Sequence, residues 1–192
     1  MKNVRLSLRV VCGVSLLTLA CGGQVADDGN GAEIFTDEGP LYQGPAAEDP
    51  GAQAAPAAEA QVLKLVNQAR AKARSCGTTS YPATGALSRN ARLDRAAKIH
   101  STDMATKDFF SHTGSDGSSP FVRIQRQSYS YSTAGENIAA GYGTADAVVA
   151  GWLKSPGHCM NIMNARYVNI GISLARGGTY GYYWTQDFGR PR

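Results

Sequence analysis

Near its C-terminal end the chain alternates twice. Val168, Ile170, Ile172 and Leu174 are apolar at every second position, and Tyr182, Trp184, Gln186 and Phe188 repeat the spacing after Arg176-Gly177-Gly178-Thr179. Period-two patterning on both sides of a glycine turn specifies an antiparallel hairpin with one buried face. A lone hairpin is marginal in water, so other elements must cover that face.

The cover lies upstream. Val62, Leu65, Val66, Ala69 and Ala73 recur at helical spacing over Ala58 to Ala73, followed by a Gly-, Thr-, Ser- and Pro-rich loop from Ser75 to Ala86. A second helix is expected from about Asn90 to Lys107, with Leu93, Ala96, Ala97, His100 and Met104 on one face. Ser119-Pro120 starts a short third helix to about Gln127, with serine as cap and proline in the first turn. An extended segment is expected around Glu136 to Ala139. Thr144 caps a helix over Ala145 to Lys154 that buries Val148, Val149 and Trp152 and ends at Ser155-Pro156-Gly157, before a short turn or helix at Met160 to Met163. Helices, an extended piece, a helix and then a hairpin, without strand-helix crossover repeats, describe a layered α+β domain rather than a doubly wound sheet. No internal repeat, phosphate loop, dinucleotide fingerprint or serine-nucleophile motif is present.

The first 60 residues have a different character. Lys2, Arg5 and Arg9 precede a mostly apolar run from Val10 to Ala20, the pattern of an export signal over residues 1–20. Leu17-Thr18-Leu19-Ala20-Cys21 resembles a bacterial lipobox, which makes Cys21 the candidate lipidated terminus; ordinary cleavage with a spare thiol is the alternative. The expected location is the cell envelope, at the outer membrane where there is one, or the secreted fraction. Residues 22–58 are rich in Ala, Gly and Pro, and Gly22 to Ala60 carries eight acids and no Lys or Arg. Such a stretch cannot offset its ordering entropy by burial and is expected to be a flexible spacer before a domain at 59–192.

From residue 61 onward sixteen Lys and Arg face seven Asp and Glu, a net charge of +9. That favours anionic envelope partners, but no basic run or nucleic-acid motif accompanies it, so no specific nucleic acid is expected. The domain keeps two cysteines, Cys76 and Cys159, which in an exported chain read as a disulfide.

Among three histidines, His112 follows Phe109-Phe110-Ser111, and His158 stands between Ser155-Pro156-Gly157 and Cys159. His100 lies on an apolar helical stripe, where a hydrogen-bonded core histidine is the commoner role. Glu136 sits in Gly135-Glu136-Asn137-Ile138. Two imidazoles and a carboxylate suit a divalent ion such as zinc with positions left for water or ligand; Glu136 as a general base, or a structural hydrogen-bond network with Asn137, are the alternatives.

Phe110-Ser111-His112, Gly135-Glu136-Asn137-Ile138, the Trp152 helix with Ser155-Pro156-Gly157-His158, Asn161-Ile162-Met163 and Tyr183-Trp184-Thr185-Gln186, in this order, resemble the CAP superfamily of cysteine-rich secretory proteins, antigen 5 and pathogenesis-related proteins. The resemblance covers about Gln61 to Arg192. It implies a three-layer α-β-α sandwich with a small antiparallel sheet and a groove holding a His-Glu-Glu-His tetrad. His112, Glu136 and His158 match three members, and Ser155 stands where the second glutamate is expected. Asn137 and Gln186 complete the candidate groove. The implied functions are binding of an envelope lipid, glycan or protein, with membrane attachment only through the lipid anchor, or metal-assisted hydrolysis of peptides, esters or nucleic acid.

Overall fold

The computed structural model describes residues 55–192 and three short strands before them; the expected signal and Cys21 lie outside the described residues. The strands and helices are β1 (Val25–Asp27), β2 (Ala32–Ile34), β3 (Leu41–Tyr42), α1 (Ala55–Arg70), β4 (Arg74–Cys76), β5 (Thr79–Tyr81), β6 (Ser88–Arg89), α2 (Ala91–Lys107), α3 (Pro120–Arg126), β7 (Tyr131–Ala140), α4 (Ala145–Lys154), α5 (Pro156–Met163), β8 (Asn169–Gly177) and β9 (Gly181–Pro191).

The alternating runs pair as the hairpin β8–β9, with Ile172 opposite Gln186, and β7 joins the other side of β9 antiparallel. Short strands widen this centre: β6 lies parallel to β8, and β2 and β3 lie parallel to β7, so parts of the expected spacer run along the sheet edge. Helices cover both faces. On one, α1, α4 and α5 enclose Val62, Val66, Trp152, Ile162, Ile170, Ile172, Trp184 and Phe188. On the other, α2 and α3 pack Leu93, Phe121 and Ile124 against Tyr131 and Ala134, and Met104 against Ile138 and Tyr183. The result is the expected helix-sheet-helix sandwich.

Alternation along β8 explains how closely α2 approaches. Ile170, Ile172 and Leu174 face α1, whereas Gly171 faces α2, where a Cβ would collide with the Leu93 backbone and side chain. Ser173, on that same face, accepts a 3.0 Å hydrogen bond from Ser101.

Several boundaries differ from those expected. The first helix runs Ala55–Arg70 and stops before Ala73. At its end Arg70 turns inward, fully buried, and donates to the carbonyls of Gly85, Ile162, Asn164 and Tyr167. Burial lowers its pKa to about 10, which leaves it charged at neutral pH, and three of its four carbonyl acceptors tie α1 to the end of α5 and the loop after it. The loop after it contains the hairpin β4–β5, turned at Gly77 with φ 59°. The extended piece around Glu136 is a ten-residue strand. Most notably, Ser155-Pro156-Gly157 does not simply end α4: Ser155 closes α4 through its N–H to the Gly151 carbonyl, and Pro156 opens α5. His158 is therefore on a helix, not in a turn.

Cys76 of β4 and Cys159 of α5 form a disulfide across 83 residues with their Cα atoms 5.5 Å apart. Closing a loop of that length stabilises by roughly 4 kcal/mol on the chain-entropy model. Non-reducing peptide mapping should recover the Cys76–Cys159 peptide, and Cys76→Ser/Cys159→Ser should lose about 2–5 kcal/mol in urea unfolding. An unchanged midpoint would show that packing alone holds α5 to β4.

Candidate functional site

Strand β7 carries adjacent site residues to opposite faces of the sheet. Glu136 points toward α2 and α3, and Asn137 toward α5. The register pairs Glu136 with Asp187 and Asn137 with Gln186 on β9, so each face has its own polar cluster.

On the α2 side Glu136 is buried and both oxygens are engaged. His112 Nδ1 donates to Oε1 over 2.7 Å, and Arg123 Nη2 donates to Oε2 over 2.8 Å. Arg123, from α3, also donates to the Ser118 and His112 carbonyls and thereby holds the loop that presents His112. His100 Nε2 lies 3.9 Å from Glu136 Oε1 and donates to the Ser111 carbonyl at 2.9 Å. Burial alone would raise the Glu136 carboxyl. The charges of His100 and Arg123 and the His112 hydrogen bond outweigh it and hold the group at about 2. Since burial also lowers the pKa of His100, Arg123 is the permanent cation of this cluster. Asp187 completes it from β9, and neither of its oxygens has a donor among the described residues. Burial first, then the Glu136 charge, pushes the Asp187 carboxyl well above the usual carboxylate range.

On the α5 side Asn137 Nδ2 donates to Gln186 Oε1 at 3.0 Å and to the His158 carbonyl at 3.2 Å. Asn161 Nδ2 donates to Asn137 Oδ1 and to the Glu136 carbonyl. Gly135 leaves room for this arrangement, because a Cβ there would collide with the Tyr167 hydroxyl. Ser155 makes no side-chain cap to α5; its Oγ shares a 2.6 Å hydrogen bond with His158 Nδ1. Burial, then the charge of His112, lowers His158 to about 4, so its imidazole is neutral at ordinary pH.

The expected residues thus form two linked networks, His112 with Glu136 and Asn137 with Ser155, His158 and Gln186. The two are near enough for His112 to act electrostatically on His158. Asn137 belongs with His158, not with His112 as expected for a structural network. Among the described residues no group of three or more His, Cys, Asp and Glu is arranged to hold a metal ion. The Glu136 oxygens are taken by His112 and Arg123, and a guanidinium beside the carboxylate opposes a cation there.

Sequence reading missed Arg123, Asp187 and Asn161. Asp187 had a usable signal, an acid inside an alternating strand at a position facing the same way as Tyr183. Arg123 had none, since one arginine in a short helix looks like any surface charge.

The His158 shift has a definite sign. A buried neutral imidazole with its folded pKa depressed to about 4 contributes stability that is complete above the unfolded value near 6.5 and is lost as pH falls toward 4. His100 acts in the same direction and Asp187 in the opposite one, so the comparison must be made between variants. Against wild type, His158→Gln should flatten the urea-unfolding profile between pH 7 and 4 by up to roughly 3 kcal/mol. Parallel profiles would show that His158 is not held neutral.

Comparison with known proteins agrees with this architecture. The uncharacterized protein YkwD of Bacillus subtilis is 40% identical over 96 residues, which is 50% of this chain but 36% of that protein. An extracellular SCP-domain protein from Bacillus anthracis superposes with a TM-score of 0.59 at 29% identity, over 77% of this chain and 45% of the other. An outer surface protein from Borrelia burgdorferi gives 0.54 at 20% identity, over 70% and 90%, and shares the fold. This chain therefore spans under half the length of the two Bacillus proteins. The model of the cysteine-rich secretory protein family, CAP, matches residues 63–188, and the chain belongs to that family.

Proposed function

We propose that this chain is an exported binding module: a CAP domain at 59–192, carried on a spacer at 22–58 behind a signal at 1–20 and a lipid-anchored Cys21. It takes a polar group of an envelope lipid, glycan or protein at His112 and His158, without turning the ligand over. The observation that carries this reading is the state of Glu136. A general base must accept a proton near the working pH, whereas Glu136 is a buried anion at about 2 with both oxygens occupied. Ser155, where a second carboxylate is expected, is a neutral partner of His158. What remains is a pair of imidazoles held by different partners, chemistry suited to hydrogen bonding. The similar SCP-domain protein of Bacillus anthracis is extracellular, in keeping with export.

Two experiments test the reading. Full-length protein should show no turnover of peptide, ester or nucleic-acid substrates above Glu136→Gln. It should also contain no stoichiometric metal that His112→Ala/His158→Ala lacks. Turnover lost in Glu136→Gln would replace the binding module with a hydrolase, and zinc lost in the double variant would add a metal ion to the groove. For the anchor, Cys21→Ala should move the protein from the membrane fraction to the soluble fraction; identical fractionation would refute lipidation.

A further inference from the structure

We propose that the groove between α2 and α3 is a second binding site, for a carboxylate-bearing glycan. The groove has a volume of about 770 Å³, and its walls include Arg95, Lys98, Ile99, Thr102, Ser115 and Arg126. It lies on the α2 face of the sheet, away from the Asn137–His158 network, and Arg123 is the one wall it shares with the Glu136 cluster.

Three observations define the ligand chemistry. First, the acids of the groove already have donors: Asp116 pairs with Arg126 and accepts from the Ser118 N–H, and Asp103, which keeps its charge, accepts from the Ser115 N–H and hydroxyl. Second, its two α2 cations are not spent. Arg95 reaches only the neutral Gln127 oxygen at 3.4 Å, and Lys98 has no ion pair among the described residues. A carboxylate entering here meets two cations without ion pairs against the single unpaired charge of Asp103, and guanidinium and ammonium donors bind carboxylates by strong charge-assisted hydrogen bonds. Third, Ile99 is 49% exposed between those cations, and Val122 of α3 is the other exposed large hydrophobic residue among the described residues.

An aliphatic side chain flanked by cations and hydroxyls fits a sugar acid, with the apolar ring face over Ile99, the carboxylate at Arg95 and Lys98, and ring hydroxyls at Thr102 and Ser115. The groove has no aromatic wall on which a nucleic-acid base would stack. Its concavity does not match a flat bilayer. The +9 domain would draw an acidic polymer toward it.

The test uses full-length protein with three probes at one salt concentration: oligogalacturonate, neutral dextran oligomers and phosphatidylglycerol vesicles. Oligogalacturonate should bind and dextran should not. Arg95→Glu/Lys98→Glu, both exposed and outside the core, should weaken binding by about tenfold or more. Lys64→Glu/Lys72→Glu makes the same change in net charge at exposed positions in and just after α1, and should stay within about twofold because distant surface charges are screened. Equal loss in both variants would reduce the effect to net charge and overturn the site. Vesicle binding without oligogalacturonate binding would overturn it in favour of a membrane surface, and failure to bind oligogalacturonate would overturn it outright.

Discussion

A carboxylate buried in the middle of a sheet constrains everything around it. Glu136 cannot stay charged there without a cation and hydrogen-bond donors, because the cost of removing an ion from water is several kcal/mol even after relaxation. Arg123 supplies the cation, and the placement of α3 follows, since the arginine must reach the β7 face from a short helix. Once there, its remaining donors find the carbonyls of Ser118 and His112. The loop before α3 is thus fastened by the same side chain that neutralises the acid, and His112 arrives at Glu136 as a consequence. Asp187 responds to the same charge differently: buried next to an anion already paired, its carboxyl is pushed well above the usual range.

The sheet separates what the sequence places side by side. Glu136 and Asn137 are neighbours, yet one belongs to the α2 face and the other to the α5 face, each matched by its partner on β9. Glycine before them is needed on the α5 side, where Tyr167 comes within contact of the backbone. Such a strand acts as a partition with two polar clusters, and the backbone links them: Asn161, which holds Asn137, also donates to the Glu136 carbonyl. A disturbance at either cluster is felt through one stretch of main chain.

How much of this was legible depended on periodicity. The hairpin and α2 could be read because one face of each is apolar at a regular interval, and the caps Ser119 and Thr144 stand where the cap chemistry predicts. Strand β7 hid most of its length because helices bury both faces, leaving no alternation to read. Helix α5 hid because serine, proline and glycine mark the end of one helix as well as the start of another. The site was legible in part for a related reason. His112, Glu136 and His158 announce themselves as rare residues in short motifs, whereas Arg123 and Asp187 matter only through contacts that the fold creates over distances of 13 residues and across a strand pair.

Ser155 changes meaning in this light. Read as a sequence it is an absent acid; in the fold it is a present hydroxyl, withdrawn from capping α5 to hold His158 Nδ1. The difference is electrostatic. A carboxylate at that point would favour the imidazolium, as the Glu136 charge does at His100, and would set an anion against each ring. With a hydroxyl there, burial and the charge of His112 act unopposed and keep His158 neutral. The two imidazoles are consequently unlike: one is bound to a paired anion, the other to a neutral donor and acceptor.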